Sequence, residues 1–122
     1  GQIPQMDVFS FEADKTMADL AEKVCEKVNP EIKVFRGRIV SGDQFVADKA
    51  VKNRITEQFH GFCTEMEGAA IAQAAYLNAI PFVVLRAISD KADDSASEDY
   101  PSFEKKAAEH CVRLVEGFLG VC

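Results

Sequence analysis

A chain of 122 residues, 48% hydrophobic and 28% charged, is long enough for one domain with a single core and is folded rather than disordered. Its net charge of −6, with no segment that concentrates Lys and Arg, argues against a nucleic-acid surface but not against an uncharged nucleoside. No run has the length of a membrane span and no opening segment resembles a signal peptide, so the reading is a cytoplasmic protein without a membrane partner.

The first ten residues, GQIPQMDVFS, have no period and no initiator methionine, as though taken from the middle of something longer. Asp14 can cap a helix whose Met17, Leu20, Ala21, Val24 and Val28 form one stripe, ended by Asn29 and Pro30. Residues 32–40, IKVFRGRIV, predict a strand that is bent or closely approached at Gly37. After the turn SGDQFV, Asp48 starts a second helix with Val51, Ile55 and Phe59 on one face, stopped by Gly61. Phe62 and Cys63 form a short apolar step into Thr64-Glu65-Met66-Glu67, followed by an alanine-dense helix over 68–78. Thr64-x-x-Glu67 fits a capping box, in which Glu67 would reach back to the start of its own helix.

Next comes PFVVLRAISDKAD. The apolar run Phe82, Val83, Val84, Leu85 predicts a strand buried on both faces, and polarity switches abruptly after it at Arg86, Ser89 and Asp90. Ligands of open α/β sheets sit beyond the carboxyl ends of such strands. The plainer alternative is that Asp90 opens a surface turn. The acidic stretch DDSASED reads as a loop, and Ser102 as the cap of a last helix that buries Phe103, Ala107, Cys111, Leu114, Val115 and Phe118. Strands alternating with helices predict an α/β fold, but two long strands and a short one do not complete a sheet. The chain therefore reads as the second half of an α/β domain, 1–122 forming part of one domain.

Cys25, Cys63, Cys111 and Cys122 lack CxxC spacing, and His60 and His110 lie far apart, so neither a metal site nor a disulfide framework is expected. What remains is a carboxylate at one strand end, a second at a helix start and an aromatic at a third turn. Such a set suits a flat heterocycle joined to a polyol. Each member also has an ordinary role: Phe45 as a core aromatic, Met66 as gap-filling core, Gly42-Asp43 as a turn.

The segments GQIP, IVSGDQF and TEMEGAAIAQAAYLNAIPFVVLRAISDKAD closely resemble the bacterial 5′-methylthioadenosine/S-adenosylhomocysteine nucleosidases of the nucleoside phosphorylase superfamily. The resemblance covers nearly the whole chain but begins about midway along the family's length. It implies the C-terminal half of a three-layer α/β/α domain with a mixed central sheet. It also implies hydrolysis of the N-glycosidic bond with release of adenine, no cofactor, and a homodimer or higher association.

Residue by residue, the resemblance implies that Phe45 stacks on adenine while the Val46 backbone reads its edge. Met66 packs under the ribose, Glu67 accepts from its 2′ and 3′ hydroxyls, and Glu65 belongs to the same binding motif. Asp90, held by Ser89, faces N7 of the base. Phe103 lines the pocket for the 5′ substituent, Pro4 reaches into the partner subunit's pocket, and Arg86 fixes Glu67 or Glu65. The spacing between Pro4 and Phe11 and the loop before Phe103 depart from the family pattern.

The chemistry agrees with these roles. Adenine leaves poorly as an anion, and a protonated Asp90 would let it leave neutral. Because an unperturbed Asp titrates at about 3.9, the role needs burial to raise it. The family's water-activating Glu and glycine-rich sugar wall have no counterpart in 1–122, so this stretch alone is expected to contact ligand without efficient turnover. Two alternatives stay open. One is a purine nucleoside phosphorylase, in which phosphate replaces water, and the other is a non-catalytic nucleoside-binding or dimerising fragment.

Overall fold

The computed structural model describes residues 2–88 and 100–122; Ser89, Asp90 and the acidic stretch that follows lie outside the described residues. Helix α1 spans Lys15–Val28, strand β1 Ile39–Ser41, helix α2 Lys49–Phe59, strand β2 Cys63–Glu65, helix α3 Gly68–Leu77 and helix α4 Tyr100–Val121.

Local signals place the helix starts. The Asp14 carboxylate accepts from the Met17 N–H at 2.8 Å and the Asp48 carboxylate from the Val51 N–H at 2.9 Å, so each satisfies a donor that its helix cannot. The expected stripe of α1 faces inward: Ala21 and Val24 are buried there, with Cys25 buried beside them, and α1 packs on α4, where Phe118 is also buried. At the end of α1, Asn29 is fully buried and its side-chain amide donates to the His110 carbonyl at 2.9 Å, tying the helix exit to α4. Beside it, the Glu31 carboxylate meets His110 Nε2 at 2.9 Å and Arg113 at 3.4 Å.

Two helix boundaries differ from expectation. Helix α2 ends at His60, which takes the left-handed conformation (φ 54°) that the glycine signal assigned to Gly61. Histidine is among the residues that adopt this region with several-fold preference. Helix α4 already includes Tyr100 and Pro101 among the described residues, so Ser102 lies within it and is not its cap. On α4, Phe103 and Val115 are exposed, whereas Phe118 is buried and Ala107, Cys111 and Leu114 are half-buried.

The sheet among the described residues is two-stranded and parallel, pairing Ile39 with Cys63, Val40 with Thr64 and Ser41 with Glu65. Of the strand expected over 32–40, only its end pairs. Gly37 is closely approached, as a glycine within that run suggests: a Cβ there would collide with the Phe62 ring. Arg36 instead clasps α1, 2.6 Å from both Asp19 and Glu22. The apolar run 82–88 carries no ladder pairing among the described residues. It is tied at its start, where the Asp14 N–H donates to the Phe82 carbonyl at 2.7 Å, and Phe82 to Leu85 are half-buried. A strand needs a neighbour's donors and acceptors, and hydrophobicity alone does not supply them.

The opening segment packs on α3 through Phe11 against Tyr76, ring centroids 5.2 Å apart, and through Gln73, which reaches Met6 Sδ at 3.7 Å. No helix among the described residues is long and apolar enough to cross a membrane.

Candidate functional site

Parallel pairing brings the carboxyl ends of β1 and β2 to the same edge, and the two segments that leave them carry the candidate residues. The Gly42 N–H donates to the Glu65 carbonyl at 3.1 Å, which continues the ladder one residue past Ser41 and starts the Gly42–Val46 turn beside Glu65. Arg86 arrives at the same edge from the apolar run. It donates to the Glu65 carboxylate and, at 2.7 Å, to the Glu67 carboxylate.

Glu65 is the hub. Its side chain is only 6% exposed, and its oxygens accept from the Ser41 hydroxyl, the Arg86 guanidinium, the Glu67 N–H at 3.1 Å and the Gly68 N–H at 2.6 Å. A carboxylate offers about four acceptor positions, so these donors use nearly all of them. Gly68 makes the approach possible: a Cβ there would lie 2.8 Å from Glu65 Oε1. Burial pushes the Glu65 carboxyl upward, but the hydrogen bonds from Ser41, Gly68, Arg86 and Glu67 together outweigh it and hold the group below the usual carboxylate range. Contact with Glu67, and then with Glu65, raises Arg86 against the opposing effect of burial, so it stays charged.

The sign of the pH dependence follows. The unfolded carboxyl titrates near 4.5, so Glu65 contributes its full stabilisation above that value and loses it as pH falls through the lower folded value. The denaturant midpoint should therefore drop on acidification from about pH 5 to about pH 3 more steeply in the unmodified protein than in Glu65→Gln. Parallel curves would show that the buried carboxylate does not have this role.

Glu67 differs from its neighbour. It is the N-cap residue of α3, yet its side chain makes no cap bond to its own helix, and it is 63% exposed. This corrects the capping box read from Thr64-x-x-Glu67. Thr64 is in the β ladder opposite Val40, and Glu65 rather than Glu67 accepts from the helix's first N–H groups. A further acceptor for the first turn comes from across the sheet, where the Ser41 hydroxyl accepts from the Ala69 N–H at 2.8 Å. Ser41 was not among the residues singled out from the sequence. Its only signal was its register opposite Glu65, which a single strand cannot reveal.

The other candidates fall into three groups. Phe45 and Met66 are exposed and Val46 is half-buried; Phe45 and Val46 lie on the turn that leaves β1, and Met66 lies between the two glutamates. Pro4 is exposed in the opening turn and Phe103 is exposed on α4; among the described residues no hydrogen bond or ion pair joins either to the Glu65–Arg86–Glu67 cluster. Ser89 and Asp90 follow Arg86 by three and four residues in sequence and lie outside the described residues. No group of three or more His, Cys, Asp or Glu among the described residues could hold a metal ion, and all four cysteines are unpaired.

Comparison with known proteins bears on this arrangement. The 5′-methylthioadenosine/S-adenosylhomocysteine nucleosidase of Chromohalobacter salexigens is 38% identical over 120 residues, covering 98% of this chain and 50% of that protein. Among solved structures, the Neisseria meningitidis 5′-methylthioadenosine/S-adenosylhomocysteine nucleosidase in complex with methylthio-immucillin-A superposes with a TM-score of 0.90 at 33% identity. That match covers 100% of this chain and 52% of the other. The futalosine hydrolase of Helicobacter pylori superposes with a TM-score of 0.88 at 31% identity, covering 100% and 51%. The chain thus spans about half the length of the curated relatives it matches. Residues 2–120 match the sequence model of the phosphorylase superfamily, and with the α/β fold and these structural neighbours this chain belongs to that superfamily.

Proposed function

We propose that the protein containing this chain hydrolyses the N-glycosidic bond of 5′-methylthioadenosine and S-adenosylhomocysteine, releasing adenine. One observation carries the reading. At the shared end of two parallel strands, a charged Arg86 orients an exposed Glu67 carboxylate that its own helix does not use. A carboxylate with free acceptor positions suits the 2′ and 3′ hydroxyls of a ribose, and its charge favours the cationic sugar that forms as the bond breaks. The names of the relatives agree with this chemistry.

Within this proposal Phe45 stacks on the base, the Val46 backbone reads its edge, and Met66 packs under the sugar. Asp90, oriented by Ser89, protonates N7 so that adenine departs uncharged. Glu65 acts through the groups it holds, with Arg86 as the link to Glu67. Phe103 and Pro4 serve the 5′ substituent, Pro4 from the partner subunit of a cytoplasmic homodimer. The reaction requires no cofactor.

Product analysis tests the reaction class. Incubated with 5′-methylthioadenosine in phosphate buffer, the protein should release adenine together with the free 5-methylthioribose. Formation of the sugar 1-phosphate would make it a phosphorylase, and absence of adenine would refute both activities.

A further inference from the structure

We infer that Ser41 is a positioning residue that keeps the Glu67 carboxylate available to a ribose by capping helix α3 in its place. This inference rests on the proposed role of Glu67 in sugar binding. A helix opens with backbone N–H groups that its own turns cannot satisfy, and the N-cap side chain ordinarily supplies an acceptor to the second or third of them. The N-cap residue of α3 is Glu67, which carries an acceptor but does not use it there.

The acceptors come instead from the two strand ends. Glu65 takes the N–H groups of Glu67 and Gly68, and the Ser41 hydroxyl takes that of Ala69 at 2.8 Å. The same hydroxyl spends its proton on the other Glu65 oxygen, Oε1, so one group stabilises both the helix start and the hub that holds Arg86. Serine can do both because it has one donor and two acceptor positions. The ladder register that pairs Ser41 with Glu65 puts it in reach.

Without the hydroxyl, Ala69 N–H loses its acceptor and Glu65 Oε1 loses its donor. The acceptor nearest in sequence to Ala69 N–H is then the Glu67 carboxylate two residues earlier, in the ordinary N-cap relation. Glu67 would divide its time between capping and ligand binding. The apparent affinity for a ribose falls by the fraction of molecules still competent. From the usual worth of an N-cap, that fall is about 3- to 30-fold.

The test uses an adenosine C-nucleoside, whose carbon–carbon link to the sugar cannot be hydrolysed, and its 2′-deoxy form. Equilibrium affinities are measured for the unmodified protein, Ser41→Ala and Ser41→Thr. Ser41→Ala should weaken the ribonucleoside about 3- to 30-fold while changing the 2′-deoxy compound much less, so that discrimination between them shrinks. Ser41→Thr, which keeps the hydroxyl, should restore it. If Ser41→Ala does not fold, Ser41→Cys, with only a weak donor and acceptor, should show the same loss of discrimination. Equal weakening of both compounds, or failure of threonine to rescue, would overturn the inference and leave Ser41 with a merely structural part. Adenine release is followed separately, so a ribose-specific effect of Ser41 in a protein that releases no adenine would support the positioning role while refuting hydrolysis.

Discussion

Asp90→Asn should slow adenine release by about 10²–10⁴-fold, the usual contribution of a positioned general acid, with little change in KM. The reason is the leaving group. Cleaving the base–sugar bond puts the bonding electron pair on adenine, which is a poor anion but a good neutral molecule once N7 is protonated. Asparagine can still hydrogen-bond to N7 but has no proton to transfer. Single-turnover rates separate this step from product release. A variant whose rate matched the unmodified protein would remove Asp90 from the chemistry and return it to the surface turn that the sequence also allows.

Glu67→Gln should lower kcat by about 10²–10³-fold, on the scale seen when one preorganised electrostatic contact to a transition state is lost. Glutamine has nearly the same shape and still accepts a hydrogen bond, so what disappears is the negative charge beside the developing cation. Stability should barely change, because Glu67 is 63% exposed and Arg86 keeps its bond to Glu65. Were KM to rise with kcat unchanged, Glu67 would be holding the sugar equally in ground and transition states, and the electrostatic role would fail.

The contrast between the two glutamates shows what can be read from residues alone. Asp14 and Asp48 declare their helices locally, since cap and capped N–H lie three residues apart. The stripe of α1 is equally local, and Ala21 and Val24 are buried as its period predicts. Strand pairing is not local. Nothing within 32–41 reveals that only the last three residues pair, because their partners lie 24 positions further on. The apolar run from Phe82 looks more strand-like than β1, yet it carries no ladder among the described residues.

The candidate site divides along the same line. Glu65, Glu67 and Arg86 were recognisable as a group through the family resemblance, but their division of labour was not. Four residues of sequence, Thr64 to Glu67, suggested a self-contained cap. Parallel register supplies a better one by setting Ser41 against Glu65, and Glu67 is released from capping to pair with Arg86. Phe103 illustrates the opposite error. Its periodicity puts it on the buried side of the last helix, but that helix, which packs on α1, buries Phe118 and leaves Phe103 exposed.

A crystal structure of the protein with a non-hydrolysable 5′-methylthioadenosine analogue would test the central claim most directly. The expected complex has the ribose 2′ and 3′ hydroxyls on Glu67 and N7 of the base within about 2.6–3.2 Å of an Asp90 carboxyl oxygen. An analogue bound elsewhere, or an Asp90 too distant to touch the nucleoside held by Glu67, would contradict it.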